Sequence, residues 1–186
     1  MSTVLGVVKQ QEKVAAILAV DIGGTKLAAA VVDLDGKIIL RDRVPTPARD
    51  PWTTLANLIK RVQASISDVE LLACGVACGG PMTLNGEKVS PLHIAAWRDF
   101  ELRSMVADIT ALPTFVDNDA KALALSEGWM GSTAHLQNFM AVVVGTGVGA
   151  GLVLDSQLLD GRQGNAGHIG HIIVEPDGRA CLCGGS

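Results

Sequence analysis

The sequence predicts a mixed α/β fold in which two lobes face each other across a cleft. Three apolar runs near its start are separated by turn residues, which is the pattern of consecutive β-strands. The next segment carries apolar residues at helical spacing. An apolar strand, a Gly/Thr loop and a second apolar strand then occur twice, around Gly23 and around Gly147. This short echo suggests a duplicated phosphate-binding hairpin, one in each lobe, which could hold the two ends of a triphosphate.

The first part of the chain predicts the order βββαβαβ after a polar leader. Asp50 followed by Pro51 is a typical helix start, because the carboxylate caps a free N–H group and proline fits the first turn. Asn85-Gly86 predicts a tight turn. The predicted elements are strands at 15–20, 27–32 and 37–44, a helix at 52–66, a strand at 71–77, a helix at 99–109 and a strand at 114–116.

The second part predicts an alanine-rich helix and another strand pair. The helix begins after Asp119 and ends near Trp129, and the strands cover 139–144 and 149–154. We therefore divide the chain into a flexible leader at 1–14, an N-terminal α/β lobe at 15–117 and the start of a C-terminal lobe at 118–186.

Composition and charge exclude several classes of function. The net charge is −4 and the 15 Lys and Arg form no basic stripe, so we expect no nucleic-acid partner. The sequence contains no run of 18 apolar residues and no signal-peptide pattern, so we expect a cytoplasmic protein without a membrane partner. The four cysteines form two close pairs, which fit reduced thiols or a metal site better than a disulfide framework.

The first Gly/Thr loop has the chemistry of a phosphate site. Asp21 ends a predicted strand, the backbone N–H groups of Gly23 and Gly24 can approach an anion, and Thr25 adds a hydroxyl. Asp21 could hold Mg²⁺ directly or through water, because hard cations prefer oxygen ligands. A hairpin glycine pair beside an incidental aspartate is an equally good interpretation of this segment alone.

The second Gly/Thr loop, at residues 145–147, also has the chemistry of a phosphate site, and it contains more glycine than the first. Gly145, Thr146 and Gly147 open a run that continues with two further glycines. Such a run costs stability, since each glycine loses more backbone entropy than alanine would. A bound ligand explains the run better than a plain flexible turn does.

A candidate catalytic base lies between the two loops. Asp119 and Asn118 stand at a predicted strand-to-helix junction, where either could simply cap the helix. In the functional interpretation, Asp119 accepts the proton of an attacking sugar hydroxyl and Asn118 binds a neighbouring hydroxyl. Phosphoryl transfer needs mainly positioning and late proton removal, so an ordinary carboxylate suffices.

Several motifs occur here in the order found in the ROK family, which the chain resembles across residues 17–186. They are DIGGTK, a Gly-Gly-Pro at 79–81, VDNDAKA, GTGVGAG, and AGHIGH followed by CLCGG. That family contains sugar kinases, uncharacterised reading frames and sugar-responsive repressors. The resemblance implies an actin-like ATPase fold, with two ribonuclease-H-like lobes and a sugar bound between them.

The resemblance also implies roles for individual residues. It makes Asp119 the catalytic base, and it makes Gly80, Asn118 and His171 parts of the sugar site. His171 is also implied as a zinc ligand. The residues implied in ATP and phosphate binding are Asp21, Gly23, Gly24, Thr25, Lys26, Gly145, Thr146 and Gly147.

The zinc expectation has its own chemistry. Cys181, Cys183 and His171 supply three ligands for a tetrahedral ion. Relatives continue beyond this point with glycine and a third cysteine, so we expect a C-terminally truncated copy that lacks one ligand. An unmetallated tail is the alternative.

Two histidines depart from the family pattern at positions implied to bind sugar. His168 stands where many relatives have a glutamate, and His93 stands where many have an asparagine. An imidazole nitrogen can donate or accept a hydrogen bond whereas a carboxylate only accepts, so the recognised group could differ. A histidine that points into the core is the alternative for His93.

The function we expect is ATP-dependent phosphorylation of a hexose at its primary hydroxyl, with ATP, Mg²⁺ and a structural Zn²⁺. N-acetylmannosamine or another N-acylhexosamine is the alternative substrate. An inactive fragment and a sugar-responsive regulator are two further interpretations, although residues 1–14 are too short for a DNA-reading helix-turn-helix module. The resemblance further implies a homodimer.

Overall fold

The computed structural model describes residues 13–145, 147–176 and 178 of the chain. Its strands and helices are, in chain order, β1 (Val14–Ile22), β2 (Lys26–Asp33), β3 (Ile38–Pro45), α1 (Pro51–Ala64), β4 (Val69–Cys78), α2 (Leu102–Thr110), β5 (Thr114–Asp117), α3 (Asp119–Met130), β6 (Phe139–Val144), β7 (Val148–Leu154) and β8 (Gln157–Leu158). The predicted order βββαβαβ is confirmed, and so are the helix and the strand pair that follow it.

The first five strands form one sheet in the order β3-β2-β1-β4-β5. β1, β2 and β3 are antiparallel neighbours joined by short turns. β4 lies parallel to β1, and β5 lies parallel to β4. Parallel neighbours require a long crossover connection, which the segments containing α1 and α2 provide. The carboxyl ends of β1, β4 and β5 consequently lie at one edge of the sheet.

Helices α1 and α2 cover one face of this sheet and form the core with it. Asp50 caps α1 as predicted, since its Oδ1 accepts a hydrogen bond from the Thr53 backbone N at 3.1 Å. Within the described ranges, no helix is both long enough and apolar enough to cross a membrane. The buried residues of β1 and α1 include Ala16, Leu18, Val20, Ile22, Leu55, Leu58, Ile59 and Val62.

The opposite face of the sheet carries small side chains. An open groove of about 810 Å³ runs along it, and α3 borders the groove through Ala122 and Leu125. The small residues along the groove are Ala19, Ala28, Ala30, Gly75 and Ala77. The small residues leave an open space on this face of the sheet, whereas large apolar residues fill the corresponding space on the other face.

The second part of the chain is built around α3 and a three-stranded sheet in the order β6-β7-β8. β6 and β7 form an antiparallel hairpin around residues 145–147, just as β1 and β2 form one around residues 23–25. The predicted pair of glycine hairpins is therefore confirmed. α3 lies directly on β7, because a Cβ atom at Gly151 would come within 2.5 Å of the Ala120 carbonyl oxygen.

The predicted start of α2 at Asp99 is wrong by three residues. Asp99 has a positive φ of 50°, which a helix cannot accommodate. Phe100 exchanges backbone hydrogen bonds of 2.9 and 3.0 Å with Val89 in a short antiparallel bridge. The helix can therefore begin only at Leu102.

Candidate active site

Three polar segments meet at the edge where β1, β4 and β5 end. Asp21 is aligned with Ala77 of β4, and Ala77 is aligned with Asp117 of β5. Gly79 follows β4 directly, and Asp119 follows β5 after one connecting residue. Ligands of open α/β sheets bind at the carboxyl ends of the strands, so this edge is where a site is expected.

The first glycine loop, residues 21–26, is a tight turn between β1 and β2. The Gly23 N–H donates to the Lys26 carbonyl at 3.0 Å, and the Thr46 hydroxyl donates to the Gly23 carbonyl at 2.7 Å. A Cβ atom at Gly23 would lie 3.1 Å from the Lys26 carbonyl oxygen. The exposed side chains of Thr25 and Lys26 are thus carried by a well-anchored backbone.

His93 packs between this loop and Asp119. A Cβ atom at Gly24 would lie 3.2 Å from the His93 ring. A Cβ atom at Gly79 would lie 3.3 Å from Asp119 Oδ2 and 3.4 Å from His93 Cε1. The absence of side chains at Gly24 and Gly79 therefore lets a carboxylate and an imidazole approach the same point.

The charge of Asp119 acts on both Asp21 and His93, which agrees with the position of these three residues at one edge of the sheet. Partial burial raises the pKa of the Asp21 carboxyl, although the residue is exposed at the edge of the sheet. The positive charge of Lys26 opposes this pKa shift, and the negative charge of Asp119 adds to it. Burial lowers the pKa of His93, and the Asp119 carboxylate acts in the opposite direction. His93 Nε2 is buried, and no residue in the described ranges forms a hydrogen bond with it.

The two cysteines of β4 are core thiols, which agrees with the reduced thiols that the cysteine spacing indicates. Cys74 and Cys78 are both free and fully buried. Burial raises the pKa of each thiol to about 12, and for Cys78 the charges of Asp119 and Asp21 add to the effect. Thiols of this kind remain protonated, so neither is a reactive nucleophile.

Asn118 caps α3, so the capping interpretation of this residue is correct as far as its carbonyl oxygen is concerned. Asn118 Oδ1 accepts from the Ala120 backbone N at 2.9 Å, and Asp119 Oδ1 accepts from the same N–H at 2.9 Å. The cap orients both side chains at the start of the helix. Asp119 Oδ2, the other carboxylate oxygen, faces Gly79.

The Gly80 loop is held against a loop at residues 160–168. Gly80 has a positive φ of 92°, and a Cβ atom there would lie 2.7 Å from Pro91 Cα. Two residues further on, the Met82 N–H donates to Asn165 Oδ1 at 3.0 Å, and Asn165 Nδ2 donates to the Met82 carbonyl at 2.8 Å. This paired contact ties the loop that ends at His168 to the segment just beyond Gly80.

The tautomer of His168 follows from its hydrogen bond. His168 Nδ1 lies 3.0 Å from the Asn165 carbonyl oxygen, which can only accept. Nδ1 therefore carries a proton, so that in the neutral ring Nε2 is the nitrogen with the lone pair. Nε2 is buried and has no hydrogen-bond partner among the described residues, and the ring centroid of the exposed His171 lies 6.3 Å from that of His168.

The second glycine loop, residues 145–147, is open. The Gly145 N–H donates to the Gly147 carbonyl at 2.9 Å, and a Cβ atom at either glycine would meet none of the described atoms within 4 Å. Thr146 lies outside the described residues. Among the residues that are described, no hydrogen bond joins this loop to the first glycine loop.

The predicted zinc ligands are only partly described. His171 lies within the described residues, whereas Cys181 and Cys183 lie outside them. Across the part of the chain that the structure describes, no group of three or more His, Cys, Asp or Glu side chains could hold a metal ion. The zinc site stays a prediction, and so does Mg²⁺ at Asp21.

Sequence reasoning missed Lys121 and Asn165. Lys121 is 2% exposed and donates to Asp160 Oδ1 at 2.7 Å and to the Gly164 carbonyl at 2.9 Å. It also pairs with Asp117 Oδ1 at 3.2 Å. Asp117 ends β5 and Lys121 lies in α3, so the rule for ion pairs within one helix does not cover this contact, and the sequence carried no signal for Asn165 either.

The sequence matches the ROK family over residues 17–186. An N-acetylmannosamine kinase of Escherichia fergusonii is 37% identical over 171 residues, which is 90% of this chain and 57% of that relative. The chain thus spans a little over half the length of the curated relatives it matches.

Solved structures of the same family share the fold. A ROK family glucokinase from Streptomyces griseus, in complex with glucose and AMPPNP, is 34% identical with a TM-score of 0.81, over 91% of this chain and 54% of that one. A ROK family transcriptional regulator, a homologue of the E. coli MLC protein, is 27% identical with a TM-score of 0.80, over 93% of this chain and 45% of that one. The predicted actin-like ATPase fold is confirmed, and the fold alone does not separate kinases from regulators.

Proposed function

The chain belongs to the ROK family, and we propose that the protein phosphorylates a hexose at its primary hydroxyl, with ATP as the donor. The observation that carries this proposal is the position of Asp119. It starts α3 at the edge where β1, β4 and β5 end, and its Oδ2 faces Gly79 and lies close to the His93 ring. A partly buried carboxylate in an open cleft can accept a hydroxyl proton late in phosphoryl transfer.

The first glycine loop forms the phosphate side of the proposed site. Its anchored backbone presents Thr25 and Lys26 to the cleft, and Lys26 supplies a positive charge near Asp21. The Asp21 carboxylate is an oxygen donor at an accessible rim, which suits Mg²⁺ held directly or through water. When bound, Mg²⁺ neutralises charge on the transferring phosphate.

The second glycine loop completes the proposed phosphate site. Among the described residues, no atom lies within 4 Å of the place where a Cβ atom of Gly145 or Gly147 would stand. Packing against the described residues therefore does not account for glycine at these two positions. Close approach of a phosphate, with Thr146 between them, does account for it.

The sugar side of the proposed site is formed by Gly80, His93, Asn118, His168 and His171. The lone pair of His168 Nε2 makes this residue a hydrogen-bond acceptor, like the glutamate it replaces. An acceptor here fits a sugar hydroxyl, and it fits the N–H group of an N-acyl substituent equally well.

N-acylhexosamine is the second candidate substrate, because the Escherichia fergusonii relative is named an N-acetylmannosamine kinase. The two candidates are separated by comparing kcat/KM for glucose and mannose with kcat/KM for N-acetylglucosamine and N-acetylmannosamine. If kcat/KM is higher for the acylated sugars, we assign the N–H of the N-acyl group as the donor to His168 Nε2.

The proposal is tested by ATP-dependent phosphorylation of that four-sugar panel. We expect turnover of at least one sugar, with transfer to the primary hydroxyl confirmed by NMR of the product. We expect Asp119→Ala to remove turnover. A panel on which the wild type transfers no phosphate, or an Asp119→Ala variant that keeps full turnover, contradicts the proposal.

Three further proposals concern the lobes of the chain, its oligomeric state and its zinc site. We propose that residues 15–117 and the segment beginning at 118 belong to the two lobes of the cleft, and that the protein forms a homodimer. Zinc binding through His171, Cys181 and Cys183 is tested by metal analysis of the purified protein. Sedimentation velocity tests the dimer.

A further inference from the structure

Lys121 is a buried cation that is held by two hydrogen bonds and by a further ion pair. Its ammonium group has three donors, and it meets three oxygen partners: Asp160 Oδ1 at 2.7 Å, the Gly164 carbonyl at 2.9 Å and Asp117 Oδ1 at 3.2 Å. The lysine side chain is 2% exposed, whereas those of Asp117 and Asp160 are 36% and 61% exposed. A buried charge is costly unless it is paired in this way, so the arrangement requires an explanation beyond packing.

The partners of Lys121 belong to different parts of the fold. Lys121 lies two residues after Asp119 on α3, and Asp117 ends β5. Asp117 Oδ1 also accepts from the Asn118 backbone N at 2.7 Å. Lys121 therefore contacts the residue that orients the start of the proposed catalytic helix.

The other two partners lie in the loop at residues 160–168. Gly164 has a positive φ of 76°, and the Ala166 N–H donates to the Asp160 carbonyl at 3.0 Å. This folded loop then presents Asn165, whose side chain holds the Met82 backbone and whose carbonyl accepts from His168 Nδ1. The contacts form one continuous path from Lys121 to His168.

We infer that Lys121 is a positioning residue that fixes the proposed base, Asp119, relative to the proposed sugar acceptor, His168. It does so by joining α3 to the loop at residues 160–168, which in turn holds the backbone just beyond Gly80. The role in catalysis rests on the proposed function, whereas the structural coupling of Lys121 to His168 does not.

The substitution Lys121→Met is a suitable probe because methionine has a similar length and no charge. The two carboxylates that it leaves unpaired are partly exposed and can be hydrated, so we expect the variant to fold. Asp160→Ala is the second probe, since it removes one partner and leaves α3 unchanged. Lys60→Met, at an exposed position of α1, is the matched control.

The first experiment is nitrogen NMR of the His168 ring in the sugar-free protein. In the wild type and in Lys60→Met we expect the proton on Nδ1. In Lys121→Met and in Asp160→Ala we expect the His168 signals to move, because the Asn165 carbonyl is no longer held in place. Unchanged His168 signals in both variants would overturn the inference.

The second experiment measures sugar phosphorylation by the same variants. We expect kcat/KM to fall by about ten- to a hundredfold in Lys121→Met, mainly through KM for the sugar, because small misplacements of reacting groups have effects of this size. Lys121→Met combined with Asn165→Ala should be no worse than the more damaging single variant, since both act through one loop. Fully additive losses in this double variant would contradict the inferred path.

The two experiments separate the two proposals. If the wild type phosphorylates no sugar but the His168 signals respond to Lys121→Met, the proposed function is wrong and the structural coupling stands. If sugars are phosphorylated and the His168 signals do not respond in either variant, the proposed function stands and the role of Lys121 is wrong.

Discussion

The substitution Gly151→Ala should push α3 away from β7 and thereby damage both stability and activity. The added Cβ would lie 2.5 Å from the Ala120 carbonyl oxygen, 2.5 Å from Ala124 Cβ and 2.9 Å from Lys121 Cα. Ordinary contact begins near 3.4 Å, so the helix must move by roughly 1 Å to relieve the overlap.

The expected cost lies at the upper end of the range for overpacking. Two of the three obstructing atoms are backbone atoms, which cannot rotate away, so we expect a destabilisation of about 3 kcal/mol. For a chain of this length that corresponds to a melting temperature lower by roughly 6–12 °C. The shift also moves Asp119 at the start of the helix, so we expect kcat to fall by about a hundredfold.

Two other glycines supply graded controls for the same substitution. At Gly149 the nearest atom to an added Cβ is Ala120 Cβ at 3.4 Å, and at Gly75 there is none within 4 Å. Thermal unfolding followed by circular dichroism should rank the variants Gly75→Ala, Gly149→Ala and Gly151→Ala in order of falling stability. A Gly151→Ala variant that melts with the wild type would refute the reasoning.

Three further outcomes are expected. Asp21→Asn should stabilise the protein at neutral pH, because folding raises the pKa of this carboxyl and its ionisation therefore destabilises the fold above that pKa. In unfolding experiments this gain in stability should vanish below the unfolded pKa near 3.8. His93→Asn should lessen the loss of stability as the pH falls below the usual histidine pKa near 6.5, because folding lowers the pKa of His93 and so disfavours its protonation. His168→Glu should keep sugar binding in calorimetry while His168→Leu loses it by about tenfold, since only the former retains an acceptor.

The elements of this fold could be predicted from sequence because their signals are local. The apolar run at residues 15–20, the proline after Asp50 and the glycine turn at residues 23–25 each depend on neighbouring residues alone. The start of α2 could not be predicted from helical spacing, because it is set by the bridge that Phe100 forms with Val89, outside the helical segment itself.

The candidate site shows the same division. Motif residues such as Asp21 and Asp119 stood out because their types and positions suit phosphate chemistry, and the sheet topology then explains why they meet. Lys121 and Asn165 were missed because their importance lies in contacts to residues 160–164 and to Met82, which sequence spacing does not reveal. The acceptor role proposed for His168 depends on one hydrogen bond to a backbone carbonyl, which only the structure supplies.

The most direct test of the proposed site is a single-turnover experiment with Asp119→Asn. Asparagine keeps the size of the side chain and an oxygen that can accept from the Ala120 N–H, but it cannot take a proton from a sugar hydroxyl. We expect the variant to bind its sugar with nearly wild-type affinity and to transfer phosphate about a hundred- to ten-thousandfold more slowly. A variant that transfers phosphate at the wild-type rate would show that Asp119 is not the base and that the proposed site is wrong.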